Sequence, residues 1–489
     1  MTQTEPQAPG FDHEKNVANL QTAGKRAAKT AGKRIPGKIM EPDGKEWSPS
    51  SWKLYSAAQQ PEWPSLDALE SATTRLSSMP ALVMPADVHR LQDELARVST
   101  GNAFLLQAGD CSESFDEFSA KAIRDKLKVI LQMAVALTYA AGLPVIKVGR
   151  IAGQFAKPRS SPTERVNGTD LPAFRGHMVN CELPDLLSRT PDPERLISAY
   201  NQSSATLTLL NAFSSGGFAD LSHVHSWNLE FVASSKQGKR YNKIANEIDQ
   251  ALRFISACGI EMDSVESLHR VNFYTSHEAL ILHYEESLTR SDPFSGSWYD
   301  SSAHMLWVGE RTRQLNGAHV EYLSGITNPI GMKIGHTVTP DELVALCDKL
   351  DPQRTPGRLT LITRIGHARI EDVLPPLLEA IKKEGLPVVW ACDPMHANTI
   401  TAESGRKTRR FDDILQEIKG FFAAHREVGT WPGGMHIELT GDDVTECLGG
   451  LDDLAEDQLH LRYTTTCDPR LNARQSIELA FQVAEMLRA

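Results

Sequence analysis

The sequence predicts an α/β protein built around a (β/α)8 barrel, and three observations support this fold class. Eight short apolar runs recur along the chain, as expected for buried parallel strands. Segments with helical periodicity lie between them, for example 342–347 and 373–381. Each run ends near glycine or polar residues, and a barrel places the C-terminal ends of all its strands on one face. The runs are 103–107, 144–149, 270–274, 304–308, 329–332, 358–363, 387–392 and 435–437.

A doubly wound open sheet is the alternative architecture. Such a sheet would gather its polar residues near one crevice, whereas polar residues here follow every run. The fourth run illustrates the pattern, because Gly309 precedes Glu310 and Arg311. Burying an acid and a base costs free energy unless they are paired or bind a ligand. A structural ion pair would explain one such strand end, but the repetition favours a functional rim.

The composition indicates a globular protein, which we expect in the cytoplasm. No run approaches the roughly 18–20 apolar residues that a membrane helix needs. Acidic residues occur early in the chain, which argues against a transit peptide. Seven cysteines without a CxxC pair do not form a disulfide framework. The formal charge of −11 disfavours a nucleic-acid binder.

The chain divides into three predicted parts. Residues 1–45 form a basic tail typical of disordered extensions, and we favour a solvated tail over a nucleic-acid or partner-binding one. Residues 46–100 form an N-terminal extension that packs on the barrel or on a partner subunit and contains a helical run ending at 88–92. Residues 101–489 form the barrel, with a helical insertion at about 165–265 that exceeds an ordinary strand–helix connection. Within the insertion, 195–213 and 241–258 have helical periodicity.

Four side chains at or just beyond strand ends are candidates for a metal site. One thiol, one imidazole and two carboxylates form a set of mixed softness, suited to divalent Mn, Co, Fe or Zn. Each has a simpler explanation, since a buried cysteine is usually part of the core and a lone acid is usually a cap. No compact motif such as HExxH is present. The candidates are Cys111, His396, Glu438 and Asp468.

Cations also recur at the strand ends, where they would form a field suited to phosphate and carboxylate groups despite the acidic total charge. These cations are Arg150, Arg311, Lys333 and Arg364. The loop 150–160, which contains glycine and proline, adds donors suited to a phosphate. They are Lys157, Arg159 and Ser160. A basic surface loop is the alternative interpretation of this segment.

Several segments resemble the class II (plant-type) 3-deoxy-D-arabino-heptulosonate 7-phosphate (DAHP) synthases, in order and spacing, from about Gln59 to the C-terminus. The segments are GDC at 109–111, RIAGQFAKPRS at 150–160, WVGERTRQ at 307–314, CDPMH at 392–396, ELTG at 438–441 and CDPRLN at 467–472. The resemblance implies a barrel enzyme that condenses phosphoenolpyruvate with D-erythrose 4-phosphate and water. The products would be DAHP and phosphate, at the first step of the shikimate pathway.

The resemblance also implies roles for individual residues. The four candidates above would be the metal ligands, with manganese favoured. Phosphoenolpyruvate would be held by Arg150, Glu310, Arg311, Lys333 and Arg364. The phosphorylated aldose would be held by Lys157, Arg159, Ser160 and Lys407. Cys111 and Cys467 would come close enough to form a disulfide when the metal is lost.

For catalysis we expect three residues to act: Lys157, Glu278 and Arg311. Glu278 would orient or deprotonate the attacking water, and Lys157 would donate a proton to the new alkoxide. Arg311 would belong to the cationic clamp on phosphoenolpyruvate. The family further implies a homo-oligomer, feedback by aromatic amino acids and association with a chorismate mutase.

One segment departs from the family pattern. Arg175-Gly176-His177 stands where many members carry Arg-Gly-Asp. This leaves open a synthase that uses an amino-sugar relative of erythrose 4-phosphate in specialised metabolism. A catalytically inactive barrel that binds effectors is a further alternative, which the presence of every inferred ligand disfavours.

Overall fold

A computed structural model describes residues 47–234, 241–257 and 271–488. Eight parallel strands close into a barrel, which confirms the predicted fold class. Neighbouring strands in the barrel follow chain order, and the first strand pairs with the last. In chain order the strands are β1 (Phe104–Gly109), β2 (Val145–Arg150), β3 (Phe273–Glu278), β4 (Met305–Val308), β5 (Ile330–Ile334), β6 (Leu359–Thr363), β7 (Val389–Cys392) and β8 (Gly434–Glu438).

Helices surround the barrel, and three small antiparallel hairpins lie outside it. The hairpins pair Thr163–Val166 with Thr169–Pro172, Thr289–Ser291 with Trp298–Asp300, and Thr399–Thr401 with Lys407–Arg409. The helices are α1 (Leu66–Ser78), α2 (Pro85–Ser99), α3 (Ala120–Ala141), α4 (Leu186–Arg189), α5 (Glu194–Ser215), α6 (Leu221–Ser234), α7 (Asn242–Ala257), α8 (Leu282–Leu288), α9 (Ala318–Gly325), α10 (Pro340–Leu350), α11 (Ile370–Glu384), α12 (Phe411–Val428) and α13 (Ala473–Arg488).

The third predicted strand differs from the observed one. β3 begins at Phe273 and continues to Glu278, past the predicted end at 274, and Arg270 lies outside the described residues. The strand continues because polar side chains beyond Tyr274 are satisfied inside the protein. The hydroxyl of Ser276, for example, donates to the carbonyl of Gly149 on β2 at 3.0 Å.

Helix α2 closes the N-terminal end of the barrel. Its residues Leu91, Leu95 and Val98 are fully buried and pack with Leu105 and Trp307 in the barrel interior. The helix therefore continues to Ser99, beyond the predicted end at 92, because its last two turns supply this apolar face. The C-terminal ends of the strands lie at the opposite side, where the loops that follow them form the barrel mouth.

The N-terminal extension is held by Trp47, whose side chain is buried. Its indole N–H donates to the carbonyl of Glu321 at 3.1 Å. A Cβ at position 325 would lie 1.9 Å from the Trp47 ring, so glycine is required there for the ring to reach α9. The ring also makes an edge contact with Trp298, with centroids 6.4 Å apart.

The insertion after β2 contains helices α4 to α7, together with the hairpin at 163–172, which the sequence interpretation did not include. The predicted helix at 195–213 lies within α5. The predicted helix at 241–258 corresponds to α7, but its last residue, Cys258, lies outside the described residues. The predicted tail at 1–45 lies outside them as well. Among the described helices, none has the length and apolar character needed to cross a membrane.

We predict that Trp47→Ala lowers the free energy of unfolding by about 3–5 kcal/mol, because it leaves a cavity between the extension and α9. A urea titration measures this change. Leu54→Ala is the control, since Leu54 is 68% exposed and its truncation should change the unfolding free energy by less than about 0.5 kcal/mol. Equal effects of the two substitutions would contradict an anchoring role for Trp47.

Candidate active site

The pairing register brings the functional strand ends to one level. Gly109 on β1 pairs with Arg150 on β2 and also with Glu438 on β8. Arg150 pairs in turn with Ser276 on β3. Side chains that follow these positions therefore meet at the mouth, the usual place for the active site of such a barrel.

Glu438 is a fully buried carboxylate surrounded by cations. Its Oε1 accepts a hydrogen bond from Arg150 Nη2 at 2.8 Å and lies 3.2 Å from Lys157 Nζ. Its Oε2 accepts from Arg409 Nη1 at 2.8 Å. Burial alone would raise the pKa of Glu438, but His396 and the cations outweigh burial and hold that pKa well below its usual range. Glu438 is therefore ionised, which makes it a competent metal ligand.

The four predicted metal ligands come together around the ammonium group of Lys157. Its Nζ lies 3.2 Å from Glu438 Oε1, 3.4 Å from His396 Nε2 and 3.6 Å from Asp468 Oδ2. The Sγ of Cys111 accepts the backbone N–H of Asp468 at 3.4 Å, and His396 Nε2 lies 3.1 Å from Glu438 Oε1. A thiol, an imidazole and two carboxylates thus face one region, and this donor set fits a divalent transition ion.

No three of these four donor atoms lie within 4.8 Å of one another, although His396 Nε2 and Glu438 Oε1 are 3.1 Å apart. Among the described residues, three donor atoms lie within 4.8 Å of one another only at His177, Cys181 and Glu182. An ion bound by the predicted set would therefore require its side chains to rotate. The group at His177 has a different explanation, which follows from its hydrogen bonds.

His177 forms a contact between two loops. The backbone N–H of Phe115 donates to its Nδ1 at 2.7 Å, so the neutral ring carries its proton on Nε2, 2.5 Å from Glu182 Oε2. A metal at Nε2 would have to displace that proton. The side chain is buried between Phe115 and Phe174 and lines neither cavity of the barrel mouth. The ring therefore does not face the barrel mouth, although the backbone N–H of Lys157 donates to the carbonyl of the nearby Arg175 at 2.9 Å.

A cavity of about 60 Å³ lies at the centre of the mouth, and we call it the inner cavity. All five residues predicted to hold phosphoenolpyruvate line it: Arg150, Glu310, Arg311, Lys333 and Arg364. The aromatic ring of Trp307 forms part of the wall, and the Arg150 guanidinium lies 5.1 Å from the centre of that ring. The cavity is therefore a cationic pocket with a flat apolar wall.

The charged side chains of the inner cavity differ in how far the protein neutralises them. Lys333 forms an ion pair with Asp393, and burial lowers the pKa of Lys333 to about 7 although Asp393 opposes that shift. The pKa of Asp393 lies well below its usual range, so we regard the carboxylate as ionised. Glu310 is paired with Arg313 at 3.0 Å. In contrast, the buried Nε of Arg364 has no hydrogen-bond partner among the described residues.

Glu278, at the end of β3, presents a second unpaired atom. Its Oε1 is buried and has no hydrogen-bond partner in the described part of the chain. Burial raises the pKa of Glu278, although Lys157 and Lys333 oppose the shift. A Cβ at position 309 would lie 2.1 Å from Oε1, so the glycine after β4 leaves room for this carboxylate. Glu278 is thus placed to accept a proton or to orient a polar molecule in the inner cavity.

The residues predicted to hold the aldose phosphate lie on one side of the mouth. Lys157 lines the inner cavity, whereas the other three do not. Arg159 is paired with Glu164 at 2.6 Å, and the Ser160 hydroxyl accepts from Arg311 at 3.0 Å. Lys407 pairs with Asp468 at 2.9 Å. These contacts bring the predicted aldose side next to the predicted metal ligands.

Two residues with clear structural roles were missed by the sequence interpretation. Arg409 lies in a hairpin and not at the end of a barrel strand, so the strand-end pattern did not indicate it. Glu113 is a buried carboxylate on the loop that carries Cys111. It accepts the backbone N–H groups of Ala152, Gly153 and Gln154 at 2.8–3.0 Å. These hydrogen bonds link the loop after β1 to the loop after β2. No sequence pattern predicted this link.

Comparison with known proteins places the chain among established relatives. Residues 47–484 match the sequence family described as the class-II DAHP synthetase family. The chain is similar to the phospho-2-dehydro-3-deoxyheptonate aldolase of Streptomyces coelicolor, with 54% identity over 439 residues, covering 90% of this chain and 97% of the relative.

A second relative is the phospho-2-dehydro-3-deoxyheptonate aldolase AroG of Mycolicibacterium smegmatis. Its identity is 49% over 437 residues, covering 88% of this chain and 93% of the relative. The solved structure of the Francisella tularensis phospho-2-dehydro-3-deoxyheptonate aldolase overlaps 86% of this chain and 97% of that chain. The identity to it is 14% and the TM-score is 0.42.

We predict that Glu113→Gln lowers the free energy of unfolding by about 1–3 kcal/mol, because an amide cannot accept all three backbone donors. A urea titration measures the change. Glu117→Gln is the matched control from the same loop, since the Glu117 side chain is 40% exposed and makes one contact with Arg470 at 3.3 Å. If the two variants proved equally stable, Glu113 would not be the link between the loops.

Proposed function

The chain belongs to the class-II DAHP synthetase family, and on that premise we propose that it condenses phosphoenolpyruvate with D-erythrose 4-phosphate and water. The products are DAHP and inorganic phosphate, at the first step of the shikimate pathway. The observation that carries this proposal is the convergence of Arg150, Lys333 and Arg364 on a small cavity beside the unpaired oxygen of Glu278. Such a pocket suits a ligand that bears both a phosphate and a carboxylate.

The cationic clamp positions phosphoenolpyruvate in this proposal. Arg150 and Lys333 are buried and already fixed by Glu438 and Asp393, so little side-chain entropy is lost when they bind the substrate. Arg364 and Arg311 supply the remaining donors. Holding the two reactants in one orientation can lower the activation free energy by several kcal/mol. The upper range of this effect is about 7–11 kcal/mol.

Proton transfers are assigned to two residues of the chain. Carbon 3 of phosphoenolpyruvate attacks the aldehyde carbon, and the former aldehyde oxygen takes a proton from Lys157. Glu278 orients and deprotonates the water that adds to carbon 2. The bond between carbon 2 and the phosphate oxygen then breaks, the departing phosphate takes its bridging oxygen and the proton of the carbon 2 hydroxyl, and carbon 2 becomes the ketone.

A divalent ion, with manganese favoured over Co, Fe and Zn, would be held by Cys111, His396, Glu438 and Asp468 and would supply Lewis-acid polarisation of the aldehyde. His396 Nδ1 lies 2.7 Å from Asp393 Oδ2. This contact leaves Nε2 of the ring directed at Glu438 and fixes the ring orientation that a ligand needs.

The proposal extends to assembly and regulation. Leu183, Leu186 and Leu187 in the insertion are 54%, 65% and 87% exposed, and such an apolar group supports a homo-oligomer. Family membership is the basis for proposing feedback by aromatic amino acids, a chorismate mutase partner and a cytoplasmic location.

For Arg311→Ala we expect the KM for phosphoenolpyruvate to rise about tenfold or more, because a charge-assisted contact is lost. The assay follows phosphoenolpyruvate consumption with erythrose 4-phosphate and Mn²⁺. Arg97→Gln, which changes an exposed arginine on α2 at the other end of the barrel, should leave KM unchanged. Unchanged kinetics in Arg311→Ala would remove this residue from the clamp, and no consumption by the wild type would refute the reaction.

For Cys111→Ala we expect the affinity for Mn²⁺ or Zn²⁺ to fall by at least about tenfold, because a thiolate ligand is lost. Equilibrium dialysis of the ion measures this without turnover. Cys181→Ala is the matched control, because it removes a thiol from the group at His177 and should leave the affinity unchanged. A fall in affinity for the ion in Cys181→Ala alone would assign the metal site to the group at His177.

A further inference from the structure

A second and larger cavity adjoins the inner one. It has a volume of about 410 Å³, and we call it the outer cavity. It is formed by the loops that follow β5, β6 and β7 and by Asp413 in the first turn of α12. Glu310 and Arg364 line both cavities, so these two side chains form the boundary between them. No role assigned so far uses the outer cavity.

The outer cavity contains cationic and polar groups that the protein leaves unpaired. Arg364, Arg369 and His336 make no side-chain hydrogen bond or ion pair with any residue that the structure describes. The two acids of the lining are less available. Glu310 is paired with Arg313 and also accepts the Gly335 N–H at 2.7 Å.

Asp413, the other acid, lies 3.8 Å from His367 Nε2. The unpaired groups that remain are therefore donors, which favours an anionic ligand. Two of them are arginines, whose planar guanidinium groups suit the oxygen atoms of a phosphate. The aldose side of the mouth differs, because its cations Arg159 and Lys407 are both paired with acids of the protein.

The loop that carries Arg364 and Arg369 is held rigidly. Glu417 Oε1, from the buried face of α12, accepts the backbone N–H groups of Ile365 and Gly366 at 2.9 and 2.8 Å. Asn398 binds the other oxygen of Glu417 at 2.7 Å and accepts the His367 N–H at 3.1 Å. The cationic groups are thus presented by a fixed backbone, which lowers the entropic cost of binding an anion.

We infer that the outer cavity is a binding site for inorganic phosphate, and that it receives the phosphate released in the inner cavity. The source of the phosphate rests on the proposed function, whereas the binding site itself does not. Arg364 contacts both cavities, so it offers a continuous cationic path from the place where the carbon–oxygen bond breaks to the wider cavity. Phosphate would then leave on the β5–β7 side, away from the aldose side at Lys157.

Equilibrium dialysis of radiolabelled inorganic phosphate tests this site. The full chain is loaded with Mn²⁺ and saturated with phosphoenolpyruvate in the absence of aldose, so that the inner cavity is filled and no turnover occurs. We expect saturable phosphate binding with a component in the outer cavity that is weakened about tenfold or more in the double variant Arg369→Gln, His336→Gln, whereas any phosphate held on the vacant aldose side should be unaffected. Arg97→Gln, the control distant from the mouth, should bind phosphate as the wild type does.

Three outcomes would overturn the inference. Absence of saturable phosphate binding, or equal binding by the wild type and the double variant, would show that the outer cavity is not a phosphate site. Progressive loss of the bound phosphate as phosphoenolpyruvate is raised beyond saturation would assign the cavity to the substrate instead of the product. Failure of the proposed function would be seen separately, as no phosphoenolpyruvate consumption by the wild type.

Discussion

The buried carboxylate of Glu438 is the group on which the organisation of the barrel mouth depends. It forms ion pairs with Arg150 from β2, Lys157 from the following loop and Arg409 from a hairpin after β7. These three cations are themselves buried, and a buried charge without its partner costs several kcal/mol. Glu438 therefore joins two other chain segments, the loop at 150–160 and the hairpin that carries Arg409, to the end of β8.

Much of the fold could be predicted from the sequence because parallel strands leave a strong local signal. A strand covered on both faces is a continuous apolar run, and β4, β5, β6 and β7 were found from such runs. The end of β3 was missed because Ser276 and His277 look like loop residues until their partners are known. The hairpin at 163–172 was missed because its residues are largely exposed and polar.

In the candidate site, too, some residues could be predicted from the sequence and others could not. Residues at strand ends could be chosen from their position, and Arg150, Lys333 and Arg364 do line one cavity. Arg409 and Glu113 could not, because their partners are distant in sequence or are backbone groups, and a lone charged residue is usually exposed. The resemblance to a family supplied the roles of individual residues, whereas the sequence pattern supplied only their common location.

The closure of the barrel between β1 and β8 has a consequence for how the protein is made. β1 lies near residue 104 and its partner β8 near residue 434, and helix α13, which packs against α3, is the last element of the described chain. During synthesis on the ribosome the edge of β1 therefore has no permanent neighbour on that side until β8 has emerged. Open strand edges of this kind promote association between nascent chains, so we expect efficient production to depend on chaperones that shield the N-terminal half.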